Sequence, residues 1–271
     1  MSINTNLKGR LRNTTLHRNQ GLMPLFEAVV NSIYAIAEES TDPGYGKIAI
    51  EIIRAPQTKL DLENGKPRRG APPQEPIVGF QITDNGVGFN DQNMVSFETL
   101  DSDYKAKQGC RGVGRLLWLK AFEAVNVSSN FKDEKGEVKS RSFTFTAAHG
   151  IGNLAIKDLP LSSAVGSCID LSGFEKAYRE ASPKTAATIA NTLFEHCLWY
   201  FVRDGGAPTM KIRDGLEVID LEDVYKDYMQ SSSTKEAITI KGKDFELTHL
   251  SRLLKYPAAK STPQWLDALS A

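Results

Sequence analysis

The sequence predicts an α+β fold built around an antiparallel (mixed) sheet. Phe26, Val29, Val30, Ile33 and Ala37 recur at helical spacing over residues 24–38, which marks an amphipathic helix. Strand-length runs rich in β-branched residues then follow, at 48–54 and 77–83 and four times more between 124 and 171. The glycine-rich segment at 109–114 lies in no strand–helix–strand repeat, which a parallel, doubly wound sheet requires.

Each element has its own local reason. Pro24 suits the first turn of the first helix, and Asp42-Pro43-Gly44 ends that region with turn chemistry. Residues 48–54 form a strand, 55–76 a long polar hairpin loop with several prolines, and 77–83 the returning strand. Residues 91–108 begin as a short helix and continue as an irregular polar segment. An apolar helix over 113–124 follows the glycines. Strands are expected at 124–130, 139–147, 152–157 and 167–171, with a charged turn at 132–136. Past residue 175 a helix over 182–201 opens on Ser182-Pro183. A hairpin crosses Asp214-Gly215, and a strand pair is expected at 238–240 and 245–250.

Composition narrows the function classes. At 271 residues the chain is one large or two ordinary domains, and 41% apolar residues is enough for a full core. Basic and acidic residues both number 33, which disfavours a whole-surface nucleic-acid binder. A local basic arm remains in Lys8, Arg10, Arg12 and Arg18, ahead of the first acidic residue, Glu27. It suits phosphates or a neighbouring subunit, and equally a solvated terminus. Cys110, Cys168 and Cys197 form no paired framework, and the four histidines have no metal-ligand spacing. No run reaches membrane length and no secretory signal is visible, so a soluble, cytoplasmic protein without a membrane partner is expected.

Four short motifs carry chemistry. Glu27 and Asn31 are one helical turn apart and share a face with Tyr34. A carboxylate there can orient or deprotonate water, and an amide oxygen can ligate Mg²⁺, although a plain solvated face has the same spacing. Asp84-Asn85-Gly86-Val87-Gly88 ends a strand. Its Asp can accept from an exocyclic amine, and its glycines let backbone approach a flat ring, yet alone it is also an ordinary turn. Gly109, Gly112 and Gly114, with Val113 between, open a helix as an anion site, with Lys105, Lys107 and Arg111 adding positive charge. The absence of Gly-Lys-Ser/Thr excludes a P-loop. Gly166-Ser167 leads into a strand, where Ser167 can bond a ligand or Asp84.

Taken in order, these motifs resemble the boxes of the GHKL superfamily: gyrases, ninety-kilodalton heat-shock chaperones, histidine kinases and MutL mismatch-repair ATPases. FEAVVNSIYA resembles its N-box, ITDNGVGF its first glycine box, GCRGVGRLLWLKAF its lid-end glycine box and GSCIDL its last box. The resemblance covers about residues 20–172. It implies a Bergerat ATP fold, a sheet with helices on one face. Asp84 would bind the adenine amine with Ser167 nearby, with Gly86 and Gly88 in the same box. Asn31 would hold Mg²⁺, and Glu27 would be the general base. Gly109, Gly112 and Gly114 would wrap the phosphates, and Lys105 and Lys107 would lie in the lid. Two positions depart from the pattern: Tyr34 stands where the N-box commonly has Asp, and Ser167 replaces the usual Thr. Glu27 argues against a histidine kinase, and no phospho-acceptor helix is evident.

The resemblance thus implies an ATP-binding domain over 1–175, and residues 176–271 weakly resemble a transducer-like α/β region, expected either as a small second domain or as the start of one that continues in a longer protein. The expected function is a Mg²⁺-dependent, slowly hydrolysing ATP switch that dimerises on ATP. It would belong to a larger DNA-acting or defence machine and reach nucleic acid or a partner protein through further C-terminal sequence. A chaperone-like ATPase and a nucleotide-binding module without turnover are the alternatives.

Overall fold

The computed structural model describes residues 6–42, 44–56, 74–99, 114–203, 205–228, 233–240 and 243–250. They fall into two compact units, 1–222 and 223–271. The first is α+β and holds an eight-stranded mixed sheet. Its helices are α1 (Leu7–Asn13), α2 (Met23–Glu39), α3 (Asp91–Glu98), α4 (Gly114–Ala121), α5 (Lys176–Ala181) and α6 (Ala186–Val202). Its strands are β1 (Lys47–Arg54), β2 (Ile77–Asp84), β3 (Phe122–Lys132), β4 (Val138–Thr146), β5 (Gly150–Asp158), β6 (Gly166–Phe174), β7 (Thr209–Asp214) and β8 (Glu217–Asp220). Helix α7 (Leu221–Tyr228) spans the boundary, and the second unit contains the antiparallel pair β9 (Ser233–Ile240) and β10 (Lys243–Leu250).

The strand order is β5-β4-β3-β6-β2-β1-β7-β8, with β1 and β7 parallel and the other pairings antiparallel. Alternation decides the two faces. In β1, Ile48, Ile50 and Ile52 are buried, while Lys47, Ala49 and Glu51 face solvent. Across the sheet the buried residues line up in rows. One row is Ile50–Ile82–Ile169–Val127–Phe143 and the next is Ile52–Phe80–Leu171–Val125–Phe145. The opposite face carries exposed Thr83, Asn126, Ser128 and Ser142.

Helix α2 lies on the apolar rows through Leu25, Val29, Ile33 and Ile36. The buried stripe takes in Ile36, while Ala37 is exposed, because the helix rolls its core face a fraction of a turn from the predicted one. Helix α4 ends at Ala121, earlier than predicted, and the chain runs directly into β3. Phe122 there stacks on Phe174 of β6 with ring centroids 4.7 Å apart. Helix α6 starts at Ala186 rather than at Ser182-Pro183, because the Thr185 hydroxyl accepts from Thr188 N–H and caps it.

Three side chains of α4 fix it to three other segments. Arg115 donates to the carbonyls of Ser96, Phe97 and Thr99 at the end of α3, at 2.8, 2.5 and 2.5 Å. Trp118 Nε1 donates to Pro24 O of α2 at 3.0 Å. Lys120 Nζ donates to Leu11 O at 3.1 Å, and Leu11 is buried, so α1 rests on its own chain. The arm's basic Lys8, Arg12 and Arg18 remain exposed.

Candidate functional site

The apolar rows stop one step short of the end of β2. There the same buried face carries Asp84, Ser167, Ser129 and Arg141, side by side on four neighbouring strands. Asp84 is 7% exposed and Ser129 2%. Buried groups of this kind need hydrogen-bond partners, and each of the four side chains makes at least one bond, with the Arg141 Nε alone among their polar atoms left without one. Ser32 Oγ of α2 donates to Asp84 Oδ2 at 2.7 Å, and Gly86 N–H donates to Asp84 Oδ1 at 2.9 Å. Ser129 Oγ accepts from Phe89 N–H at 2.8 Å, and lies 3.0 Å from Gly166 O and 3.3 Å from Ser167 Oγ. Arg141 donates to the carbonyls of Phe89 and Asn90 at 2.6 and 3.0 Å and pairs with Asp91, which fixes the chain between β2 and α3.

Two glycines of that connection are required by space. A Cβ on Gly86 would lie 2.5 Å from the Ala35 carbonyl carbon, and Val87 N–H donates to Ala35 O at 3.1 Å. The loop backbone therefore packs directly on α2. Gly88 has φ +74°, and a Cβ there would meet the carbonyl oxygen of Asn130.

Helix α2 supplies the second wall. Glu27, Asn31 and Ala35 succeed one another by one turn on one face. The Ala35 end touches Gly86. At the other end the Glu27 carboxylate lies against Gly114, where any side chain would run into it. Half-buried Asn31 lies on α2 between Glu27 and Ala35, the residues that meet Gly114 and Gly86. Burial raises the Glu27 carboxyl above its ordinary pKa of 4.5. Tyr34, on the adjoining flank, meets Tyr200 of α6 with the two hydroxyls 3.1 Å apart and the rings edge to face. Burial, then the bond to Tyr34, pushes the Tyr200 hydroxyl upward. Phe26 and His196 make a second, tilted ring contact at 5.0 Å, so aromatic pairs fasten α6 beside the site.

The described residues thus bring together Glu27, Asn31, Asp84, Gly86, Gly88, Gly114 and Ser167 from the predicted set. Lys105, Lys107, Gly109, Arg111, Gly112 and Val113 lie outside the described residues. Ser32 and Ser129 were not singled out in the sequence. Their signal was present: each puts a hydroxyl where the surrounding periodicity calls for an apolar residue, Ser32 between Val29 and Ile36 and Ser129 between Val127 and Phe131.

Among the described residues no group of three or more His, Cys, Asp or Glu is placed to hold a metal, and no helix is long and apolar enough to cross a membrane. Half-buried Asn31 carries an amide oxygen, a hard ligand of the kind Mg²⁺ accepts. Against known proteins, no family model matches the chain and no curated protein matches it.

Proposed function

We propose that this chain is a Mg²⁺-dependent ATP-binding switch of the GHKL type, with a Bergerat fold and slow hydrolysis. The observation that carries this reading is the polar row at the end of β2. A buried carboxylate, held on both oxygens, sits among hydroxyls and is bonded by Ser32 of the same helix that bears Glu27 and Asn31. A structural core has no use for that change of chemistry, and a purine amine does.

In this reading Asp84 accepts from the adenine amine, with Ser167 and Ser129 beside it. Gly86 and Gly88 keep the loop thin enough for the base to lie against backbone. Asn31 holds Mg²⁺ through its amide oxygen. Mg²⁺ held there would supply positive charge to offset that of the phosphates. Glu27, half-buried and easily protonated, takes the proton of the attacking water. The glycine motif that ends at Gly114 receives the phosphates.

ATP would do work through its greater affinity for a closed, dimeric state. Such a module would serve a DNA-acting or defence machine in the cytoplasm, with nucleic acid or a partner protein as the client. A chaperone-like ATPase uses the same site and differs only in its client. A binding module without turnover is favoured by one observation, the phenol pair Tyr34–Tyr200 where the N-box commonly has a carboxylate.

Calorimetric titration with Mg²⁺ and a non-hydrolysable ATP analogue tests the reading. Binding is expected, and loss of it in Asp84→Asn. A folded wild-type chain that binds no analogue would overturn it. Phosphate release from ATP separates a slow ATPase from a module without turnover.

A further inference from the structure

The Asp84 carboxylate is held from two independent elements. Ser32 Oγ, on α2, bonds Oδ2 at 2.7 Å, and the N–H of Gly86, in the loop after β2, bonds Oδ1 at 2.9 Å. Ser32 is 2% exposed, stands on the core face of α2 between Val29 and Ile36, and spends its hydroxyl on this one carboxylate. With one donor the carboxylate could swing about its Cβ–Cγ bond. With two, from elements that are themselves packed together at Ala35, any swing breaks a bond.

We propose that Ser32 is the positioning residue that sets base selectivity, for a purine carrying an amine at position 6 and against one carrying a carbonyl there. The proposal rests on the nucleotide reading above and deepens it. An ionised carboxylate is acceptor-only. Pinned at both oxygens, Asp84 has one orientation, and what it presents to a base is lone-pair density. A 6-amino group donates into that density. A 6-oxo group places oxygen against oxygen, so the base carbonyl is desolvated with no donor to meet it, the situation in which a polar site discriminates most strongly. With Ser32 removed, Asp84 loses its bond from α2 and keeps the one from the Gly86 N–H. The carboxylate can then turn, or take a proton and offer O–H to a carbonyl, so the preference should narrow from both sides.

The test is equilibrium binding of the Mg²⁺ complexes of ATP and ITP to the full chain, because the two bases differ at position 6 and in the N1 proton that follows from it. Wild type should prefer ATP. Ser32→Ala should weaken ATP about tenfold, the effect of one hydrogen bond to a charged group, and leave ITP unchanged or improved. Ser32→Cys keeps a weak donor of similar size. It should give an intermediate ratio, and it carries the test if the alanine variant does not fold. Thermal unfolding of each variant is measured alongside. A merely structural Ser32 would lower the unfolding temperature and weaken both nucleotides by the same factor, which overturns the proposal, as does unchanged ATP affinity in both variants. A folded wild-type chain that binds neither nucleotide overturns the nucleotide reading itself, and the selectivity assignment with it. Wild-type binding of both with no preference for ATP overturns the selectivity assignment alone.

Discussion

The middle and the end of one sheet face obey the same geometry and hold opposite chemistry. In the middle, β1, β2, β6, β3 and β4 contribute Ile52, Phe80, Leu171, Val125 and Phe145, a row that packs by shape and needs no partner. Two steps further along the same strands, the row is Ile48, Asp84, Ser167, Ser129 and Arg141, and its four polar members depend on named hydrogen bonds. Alternation decides which residues face the helices. It does not decide what they are. In the proposed reading, the polar row is where the molecule trades apolar core for chemistry.

The sharpest way to break the apolar side of this comparison is Phe80→Ala. Phe80 is fully buried and meets Phe122 and Phe174 edge to face at 6.1 and 6.0 Å. The loss should be about 3–5 kcal/mol by urea unfolding. The folded fraction that remains should bind nucleotide as wild type does, because the polar row lies two steps away. A nucleotide affinity that fell with the stability would mean that the two rows are not independent.

Gly88→Ala strikes the seam between the rows and the loop above them. Its φ of +74° and the Asn130 carbonyl oxygen in the path of a Cβ should together cost about 1–3 kcal/mol. The same change should weaken nucleotide binding, because relief moves the loop away from β3. Unaltered stability would show that the loop is not seated on β3 as described.

Much of this comparison was legible in the sequence. The strands were visible because their β-branched residues alternate or cluster between turns, and Asp84 stood out because it ends such a run ahead of two glycines. What local pattern could not give was adjacency. Nothing near Asp84 in the chain points to Ser129, and it is the resemblance, not the local pattern, that sets Ser167 beside Asp84. They meet because β6 pairs with both β2 and β3. The parallel partnership of β1 with β7 was hidden for the same reason, as it joins residues 47–51 to 209–213. Tyr34 was visible as a departure, but its contact with Tyr200 exists only once α6 has packed on α2. Element ends moved by a few residues where a cap or a stacked ring won over the apolar pattern, as at Thr185 and Phe122.

Asp84→Asn separates fold from function within the polar row. The amide oxygen can accept from Gly86 N–H while the amide nitrogen donates to the Ser32 hydroxyl, which can also act as an acceptor. Stability should therefore shift by about 1 kcal/mol or less, while affinity for the ATP analogue falls at least about tenfold. Thermal unfolding with and without nucleotide reads both. Wild type at about a hundredfold excess of ligand over Kd gains roughly 2.7 kcal/mol, and the variant should gain little. A large loss of stability with binding preserved would reassign Asp84 to the core.

The smallest effect on stability, and the one with the most informative sign, is expected at Glu27. Its carboxyl is pushed above the ordinary 4.5 by burial, so the folded chain holds the proton more tightly than the unfolded chain does. Below the ordinary value both states are protonated and Glu27 costs nothing. As pH rises from there to the raised value, the unfolded chain ionises first and stability drains away. Above that window the ionised, half-buried carboxylate is a constant burden. Glu27→Gln lifts it, so the variant should be the more stable protein at neutral pH and should lose that advantage in acid. Paired urea titrations at the two ends of the window measure the crossover. Hydrolysis should run the other way: a base works only when ionised, so wild-type turnover should fall as pH descends through the same window, and the variant should bind ATP but release almost no phosphate. A variant that is stabilised and inert identifies a carboxylate kept for chemistry at the expense of the fold, like the polar row beside it. A stabilised variant with hydrolysis intact would place Glu27 with the packing residues and move the search for the base elsewhere.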